Sequence, residues 1–531
     1  MTAELAALVD AALADEADLE QTLQALAAAV DAAPRDASLR RLRLRLLEAT
    51  WDREAQLQDL RALVDIDPAD RDAALALAQR EHRWSHYLAD DEAGAEAMTT
   101  AAAARVRALA DAQLADADWT ERLLGQWTDT PLATAVTTRL RLALQARARH
   151  PQHAGLRRQE ALAWADLATT VPSVEPPPGK PPMGVAVGVD GSLQDALASE
   201  RALAALAMLP PEPDLLDTRA RLELGLCRFG AAASAFEAAA AAWRRQGDEG
   251  AESAAAAQAQ AERCRGGRAA LVQGQLGDVD ELMARLQAAN IERGAEMRQQ
   301  LDELKPAMAA SAAEPDLEAL QQQADSAAGH VAGGVAQQPT AWVVHDGQGL
   351  DPRLTDAMPR WQALGLQHLG WAEAPAYSRQ FGAPTVAGIW VTPEGDALLV
   401  HIAVRQLDNV DLETEFDDGT QVVTTLARGR NFMGGGPRID TLHLDHDVDP
   451  AEALAVHRAR AALAAQGGRT LRPVRSVADF ESLQERQRAA KTAYRLAEGL
   501  GEFEAAGVPV EPAEHFVPML RAAVRRRISR A

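Results

Sequence analysis

Apolar residues recur three or four positions apart through most of residues 1–330, with polar residues between them. Leu276, Val279 and Leu282 show this spacing, which places apolar side chains on one face of an amphipathic helix. Ala, Leu, Arg, Glu and Gln, all good helix formers, are abundant in the chain. The pattern therefore predicts far more helix than strand.

Proline interrupts the helical pattern at a regular interval. Val30–Asp36 has the sequence VDAAPRD and Val64–Asp70 has VDIDPAD, so that Pro34 and Pro68 stand 34 residues apart. Because proline cannot continue a helix, each one marks the corner between stacked helix pairs. Pro151 begins another helix pair of similar character.

A second block of paired helices is predicted between Ser192 and about Gly266. This block combines small residues, which allow helices to cross closely, with a glycine for the turn and with bulky apolar residues. The small residues are Ala235 and Ala239, the glycine is Gly230, and the bulky residues are Leu222, Leu224, Leu226, Phe229 and Phe236. With the 34-residue period, this set resembles the tetratricopeptide repeat (TPR) superfamily over the N-terminal ~270 residues. The resemblance implies an α-α superhelix whose concave surface binds partner peptides or helices.

Two stretches of biased composition divide the chain. Residues 171–191 are rich in proline and predict a linker, and residues 331–340, rich in Gly, Ala and Gln, predict a second one. The domains expected on either side are a TPR-like region at 1–170, TPR-like helix pairs and long helices at 192–330, and an α+β domain at 341–531.

After residue 340 the apolar positions recur with a period of 2 instead of about 3.6, which is typical of strands. Pro393–Asp396 lies between two apolar runs and predicts the turn of a hairpin. The predicted strands are 341–345, 388–392, 397–404, 410–417, 420–426 and 438–444. We expect them to form an antiparallel meander of four or five strands.

Helices are predicted to follow the sheet. Asp449 suits an N-cap, Pro450 the first helical position, and Glu452 the position three residues after the cap. Ser476 begins the next helix, and another follows Pro512. Because helices on an antiparallel sheet define an α+β domain, the predicted fold class is mostly α, a TPR-like helical repeat followed by a small α+β domain.

This C-terminal part also resembles an uncharacterised bacterial α+β domain. The resemblance rests on an F-x-D-G hairpin, a later threonine, a proline-containing loop and a helix with a histidine, which are here Phe416, Asp418, Gly419, Thr424, Pro437 and His457. It implies a fold and no chemistry.

The 531 residues include 54 Lys and Arg against 77 Asp and Glu, a formal net charge of −23. Nucleic acid and anionic membranes are therefore not expected as partners, since phosphate binding requires a positive surface. The end of the chain is a local exception, with clustered Arg521, Arg525, Arg526, Arg527 and Arg530. We expect these cations to complement a helix C-terminus, and a tail for an acidic partner is the alternative.

Cysteine usage and the N-terminus bear on the compartment. Cys227 and Cys264 are expected in helices and form no CxxC motif, which disfavours a disulfide framework and is compatible with a reducing compartment. The N-terminus lacks the basic region of a signal peptide, and no apolar run reaches the ~18 residues of a spanning helix. We therefore expect a cytoplasmic protein.

Two histidine runs are candidates for metal binding. His82 and His86 have i, i+4 spacing, but Arg83 occupies the position of the zinc-protease glutamate and would oppose a metal, so an exposed or core-edge pair is expected. His443–Asp449 contains ligand types that suit zinc or non-haem iron. In a strand, however, His443 and His446 would point to opposite faces, so a solvated strand-to-helix loop is expected.

An acidic stripe alternates along one predicted strand, at Asp411, Glu413, Glu415 and Asp417. Because like charges at a period of 2 repel one another, the stripe predicts an edge strand that charge protects from aggregation. A docking face for a basic segment or a divalent cation is the alternative. The tryptophans of this part, Trp342, Trp361, Trp371 and Trp390, are expected in the core.

Two glycine-containing stretches fall short of a phosphate-binding motif. Gly179-Lys180 lacks the leading glycine and the Ser or Thr that comes after the lysine in such loops. Met433–Pro437 comes after a strand but opens no helix, so a helix N-terminus is missing from it.

These patterns favour a protein–protein interaction scaffold or adaptor that binds a protein or peptide and has no catalytic activity of its own. They assign no catalytic, cofactor-binding or metal-binding residue. The alternative is a hydrolase or metal-dependent enzyme in the α+β domain, using the His443–Asp449 run or His401 and His457.

Overall fold

The computed structural model describes most of the chain, in two compact units, Met1–Leu142 and Ala143–Ala531. The described residues are 2–15, 17–50, 52–89, 91–170, 185–187, 193–288, 299, 302, 305, 316–336, 342–405, 407–427, 436, 438–498 and 513–528. Within this part of the chain, no helix combines the length and apolar character that crossing a bilayer requires.

The first unit consists of helices joined by short turns. They are α1 (Thr2–Leu13), α2 (Leu19–Ala32), α3 (Ala37–Thr50), α4 (Arg53–Ile66), α5 (Arg71–Leu88), α6 (Glu92–Gln113), α7 (Ala117–Gly125) and the start of α8 (Val136–Arg149). From α1 to α6, each helix contacts the next. Since a turn of a few residues separates helices that pack side by side, neighbours run antiparallel, as in helical hairpins.

The predicted proline corners are confirmed. Pro34 and Pro68 lie in the turns after α2 and α4. In each case the aspartate two residues later caps the next helix: the Asp36 carboxylate accepts the N–H of Ser38 at 2.9 Å, and that of Asp70 accepts the N–H of Ala73 at 3.0 Å. Proline therefore ends one helix pair and the aspartate starts the next.

A buried ion cluster joins α3 to α4. The Asp59 side chain is fully buried, and it accepts hydrogen bonds from Arg40 at 2.8 Å and from Arg43 at 2.7 and 2.5 Å. The surrounding core is aliphatic, with Leu57 and Leu60 of α4 packed against α5. Because a buried carboxylate requires a cation, this cluster fixes how the two helices pair.

The second unit continues with helices and one small hairpin. Its helices up to the sheet are the end of α8, α9 (Ala154–Thr169), α10 (Ala196–Ala207), α11 (Pro213–Gly225), α12 (Phe229–Arg244), α13 (Ala251–Arg265), α14 (Gly267–Ala288) and α15 (Leu317–Ala336). The hairpin pairs β1 (Val185–Val187) with β2 (Leu193–Asp195). Small residues such as Ala232 and Ala239 let α11, α12 and α13 pack closely.

The predicted linkers differ from the structure where it describes them. Strand β1 lies within the proline-rich stretch 171–191, whose other residues are outside the described part. Helix α15 extends to Ala336, so residues 331–336 are helical, because alanine sustains a helix through the glycines, and 337–340 are not described. Cys264 lies in α13 as expected, but Cys227 lies in the turn after α11 with a φ of 57°, so its helical prediction is wrong.

The C-terminal sheet has seven strands in chain order. They are β3 (Val343–His345), β4 (Gln367–Glu373), β5 (Val386–Val391), β6 (Leu398–Val404), β7 (Leu407–Glu415), β8 (Gln421–Ala427) and β9 (Ile439–Asp445). All neighbours are antiparallel except β8 and β9, which are parallel. The predicted antiparallel meander of four or five strands is wrong in the number of strands and in the direction of one pairing. Strand β4 was missed because Gly370 and a register shift interrupt its pattern. The parallel pairing was missed because alternation does not distinguish parallel from antiparallel strands.

Helices cover both faces of the sheet. The helices described in this part of the chain are α16 (Pro352–Asp356), α17 (Met358–Ala363), α18 (Pro375–Phe381), α19 (Pro450–Ala465), α20 (Val477–Glu498) and α21 (Ala513–Ile528), of which α21 packs on α15 and α20. Helix α19 packs on β7 and β8, and α20 packs on the opposite face through Phe480 and Leu483. Asp449 caps α19 and Ser476 caps α20, as predicted. The predicted fold class, helical repeats followed by an α+β part, is confirmed.

We expect Asp59→Ala to lower the free energy of unfolding by about 3–5 kcal/mol, because it leaves two mostly buried guanidinium groups without their carboxylate. Asp65→Ala, an exposed change on the same helix, should alter it by less than about 0.5 kcal/mol. Urea denaturation of the full chain measures both. Equal stability of the two variants would contradict the structural role of the ion cluster.

Candidate functional site

A cleft of about 530 Å³ opens on the surface of the first unit. It is lined by Asp52, Glu54, Ala55, Leu57, Gln58, Arg61, Leu88 and Met98. These residues come from α4, the C-terminal end of α5 and α6. The antiparallel packing of α4 and α5 explains the site, because it brings the start of one helix beside the end of the other.

The cleft is lined by apolar side chains and by an equal number of polar or charged ones. Leu57 is 3% exposed, whereas Leu88 and Met98 are half-buried and remain accessible. Asp52 and Glu54 are exposed at the start of α4. A cleft of this volume lies within the size range of ligand-binding sites.

The two arginines at the cleft are engaged by neighbouring side chains. Arg61 donates to Glu81 at 3.1 Å, and Glu81 also binds Arg105 at 2.6 Å. The Arg53 guanidinium lies over the ring of Tyr87, 4.3 Å from its centre, and Tyr87 is 72% exposed. The residues in and next to the cleft therefore include arginines that already contact other side chains, exposed carboxylates and an exposed aromatic ring.

A second polar cluster lies at one end of the sheet. Asp408, at the start of β7, binds His401 Nε2 of β6 at 3.0 Å and His446 Nε2, just after β9, at 3.3 Å. Arg353 of α16 lies 3.9 Å from the same carboxylate. The carboxylate thus holds three separate elements together.

The surroundings shift the pKa values of this cluster. Burial raises the pKa of Asp408, but the hydrogen bond from His401 and the charges of His446 and Arg353 outweigh it, so the net shift is downward. Burial lowers the pKa of His401, and Asp408 only partly offsets it. Asp408 therefore stays ionised, and its charge orients the imidazole of His401.

The structure separates the residues of the His443–Asp449 run. His443 lies opposite Thr425 on the α20 side of the sheet, His446 binds Asp408, and Asp449 caps α19. The histidines and carboxylates that are close together in the sequence therefore lie in three different environments. His82 is partly buried and His86 is exposed, as expected for a core-edge pair.

His457 lies apart from His401, in the interior under α19. Its ring nitrogens hydrogen-bond Thr414 at 2.9 Å and Thr424 at 3.1 Å. Burial, together with the charges of Arg460 and Arg458, lowers its pKa to about 3. His457 is therefore neutral at physiological pH and ties α19 to β7 and β8.

The acidic stripe does not lie on an edge strand, and that prediction is wrong. Strand β7 lies between β6 and β8, and α20 covers the face that carries Asp411, Glu413 and Glu415. Asp417 comes after the strand and is exposed. Sequence alternation identified the shared face but could not show that α20 would cover it.

Each buried carboxylate of the stripe has its own partner. Asp411 accepts the hydroxyl of Thr425 at 2.6 Å, Glu413 accepts the amide of Gln484 at 3.0 Å, and Arg486 clamps Glu415 at 2.8 and 2.5 Å. Burial, and after it the charge of Asp411, raises the pKa of Glu413 to about 7. The middle carboxyl of the stripe therefore titrates near neutral pH.

The remaining candidates lie at the end of the chain, in the core of the sheet and outside the described residues. Arg526 lies 3.3 Å from Asp325 and Arg527 donates to its backbone carbonyl, so these C-terminal arginines join α21 to α15.

Trp342 packs edge-on against Phe480, and Trp361 and Trp390 are buried as expected, whereas Trp371 is only partly buried. Outside the described residues lie Gly179-Lys180, the Met433–Pro437 loop except Gly436, and Arg530.

Sequence reasoning missed Asp408 and the cleft. Asp408 begins a strand next to the turn of a hairpin and belongs to no motif, and its partners are brought to it by β6, β9 and α16. The cleft arises from helices that meet end to start. The sequence signal for the Asp408 cluster was a histidine in β6, and the signal for the cleft was a pair of acids at the start of α4.

Comparisons with known proteins give a likeness of structure. No family model and no curated protein matches the sequence. A TPR protein from Parabacteroides merdae ATCC 43184 covers 49% of this chain and 84% of its own, at 14% identity and a TM-score of 0.26. A thermophilic TPR protein from Thermus thermophilus covers 48% of this chain and 98% of its own, at 15% identity and a TM-score of 0.22.

We expect Glu413→Gln to stabilise the protein in a pH-dependent way. Because the folded-state pKa of Glu413 is raised, its stability contribution is complete below its unfolded pKa and is lost as the pH rises through about 7. The variant should match the wild type at pH 4 and exceed it by up to ~3 kcal/mol at pH 8. Denaturant unfolding at both pH values measures the difference.

Glu394→Gln is the matched control, since Glu394 is exposed on the same domain. Its difference from the wild type should be the same at both pH values. A Glu413→Gln difference that does not change between pH 4 and pH 8 would show that folding does not raise the pKa of Glu413.

Proposed function

We propose that the protein is a cytoplasmic interaction scaffold or adaptor, and that its helical repeats bind a protein or peptide partner. The single observation that carries this proposal is the open cleft of the first unit, whose lining combines apolar side chains with polar and charged ones. Such a surface binds another molecule by complementarity and requires no reacting group. Nucleic acid and membrane are disfavoured as partners by the net charge of −23.

The polar groups of the sheet support a structural rather than a catalytic role for that part. His457 is held between two threonines, and Glu415 is clamped by Arg486. These groups join helices to strands, and they are buried away from solvent. We therefore assign no catalytic, cofactor-binding or metal-binding residue, and we propose that the repeats present or regulate the α+β part.

The cysteines support a reducing compartment. Cys227 and Cys264 are both buried and neither forms a disulfide, and burial raises the pKa of Cys264 to about 11. Thiols of this kind are unreactive packing groups. They fit the cytoplasm, where disulfides are rare.

Capture from cell lysate tests the scaffold proposal. The full chain, immobilised, should retain a defined partner that co-elutes as a stoichiometric complex in size-exclusion chromatography. Complex formation should survive Glu413→Gln, which leaves every exposed surface unchanged. A full chain that forms no stoichiometric complex under native conditions would contradict the proposal.

The enzyme alternative rests on His401 and Asp408. The carboxylate orients the imidazole through Nε2, whereas in hydrolase triads it does so through Nδ1, and Nδ1 of His401 is buried without a hydrogen-bond partner among the described residues. Hydrolysis of chromogenic ester and phosphate substrates by the wild type and by His401→Ala distinguishes the two functions. The scaffold proposal expects equal rates, and a wild-type rate at least about tenfold higher would favour the hydrolase.

A further inference from the structure

We propose that the docking of α20 on the sheet is switched by pH: the helix packs on β7 while Glu413 carries a proton, and it opens locally when that proton is lost. The sheet stays folded in the open form, so the change concerns one helix and not the whole chain. The scaffold function proposed above is not required for this behaviour.

Three carboxylates lie in a row on β7 beneath α20. Asp411, Glu413 and Glu415 occupy every second position of the strand, so neighbouring members are about 7 Å apart. Glu413, in the middle, is 6% exposed, and its neighbours across the ladder, Leu398 on β6 and Val423 on β8, are apolar. Since like charges repel strongly where water is excluded, ionisation of the whole row requires a cation for each member.

The arginines beside this row bind Glu415 and not Glu413. Arg486 of α20 clamps Glu415 at 2.8 and 2.5 Å, and Arg472, in the segment between α19 and α20, lies 3.5 Å from the same carboxylate. Opposite Glu413, α20 presents Gln484, whose amide nitrogen donates to the two carboxyl oxygens at 3.3 and 3.0 Å. A neutral amide supplies hydrogen bonds to the carboxyl but no compensating charge.

Other titratable groups face Glu413 from the neighbouring elements. Asp411 lies on the same strand and Lys491 on α20, and their charges act on Glu413 in opposite directions. His443 of β9 shares this face of the sheet, across β8 from Asp411. Burial, and after it the charge of Asp411, raises the pKa of Glu413 to about 7, which Lys491 only partly offsets. The charge of Glu413 therefore changes near neutral pH.

The helix responds to this charge because the same turn of α20 covers Glu413 and packs on the sheet. Phe480 and Leu483 are 0% and 1% exposed in the apolar core between α20 and the sheet. Gln484 directly follows Leu483, so opening of this turn brings Glu413 into water. An ionised carboxyl is far better solvated there than beneath the helix.

The sign of the effect follows from the raised pKa. Docking of α20 is strongest below the ordinary pKa of a glutamate, and it weakens as the pH rises through about 7. Between pH 6 and pH 8.5 the equilibrium constant for opening should increase about tenfold, if Glu413 has its ordinary pKa in the open form.

Hydrogen–deuterium exchange of the full chain, read by mass spectrometry, tests the proposal. After correction for the pH dependence of intrinsic amide exchange, the protection of α20 should fall about tenfold from pH 6 to pH 8.5. Helix α19, on the opposite face, is the internal reference, because the pKa of its buried His457 is about 3 and His457 stays neutral over this range. Constant protection of α20, or an equal loss in both helices, would overturn the proposal.

Two glutamate variants identify the switching group. Glu413→Gln keeps the size of the side chain and cannot ionise, so the protection of α20 should be the same at both pH values, within about twofold. Glu394→Gln is the matched control, since Glu394 is exposed on the same sheet, and it should retain the tenfold loss of the wild type. A loss that persists in Glu413→Gln would assign the pH dependence to Asp411 or His443 and refute the role of Glu413.

A change on the helix tests the charge argument independently. Gln484→Lys places a cation opposite Glu413 and should keep α20 protected at pH 8.5, because the carboxylate then has its own counter-charge. Gln484→Met, of similar size and neutral, should leave the loss of protection in place. Circular dichroism of each variant verifies that it is folded. Equal behaviour of the two Gln484 variants at pH 8.5 would show that charge at Glu413 does not control the docking of α20.

Discussion

A carboxylate that leaves water must find a cation, a hydrogen-bond donor or a proton, and this requirement governs both units of the chain. Asp59 is fully buried and takes Arg40 and Arg43 of the neighbouring helix. Glu415 is covered by α20 and takes Arg486 from it. Because an unpaired buried charge is so unfavourable, each pairing selects one arrangement of neighbouring elements over the alternatives. These ion pairs therefore specify packing as much as they stabilise it.

Among the described residues, Glu413 accepts its side-chain hydrogen bonds from an amide, and the charge of Lys491 only partly offsets its burial. Gln484 donates a hydrogen bond but supplies no positive charge, and Asp411 lies on the same face of β7. The carboxyl then meets the requirement by keeping its proton up to about pH 7. The contact between α20 and the sheet at Glu413 thus depends on pH in the range where cells operate, whereas Glu415 is clamped by Arg486.

The two parts of the chain use charge in different ways. In the sheet, His457, Arg460 and Asp440 are directed inward, and Asp440 also binds Arg201, which joins α10 to β9. In the first unit, Glu54 and the apolar surface beside it face solvent. Side chains whose ion pairs and hydrogen bonds hold the fold together are poor candidates for partner recognition, because breaking those pairs lowers the free energy of unfolding. The proposed recognition surface therefore lies on the helices of the first unit.

The sequence by itself determined the class of fold and several boundaries. Pro34 and Pro68 with the aspartates after them fixed helix ends, and Asp449-Pro450 fixed the start of α19, because capping and proline geometry are local properties of the backbone. Only the tertiary structure decided that β7 is an interior strand, that β9 is parallel to β8, and that Asp408 gathers two histidines. Strand order, pairing direction and helix coverage are long-range outcomes, and alternation of side chains is the same whichever neighbour a strand meets.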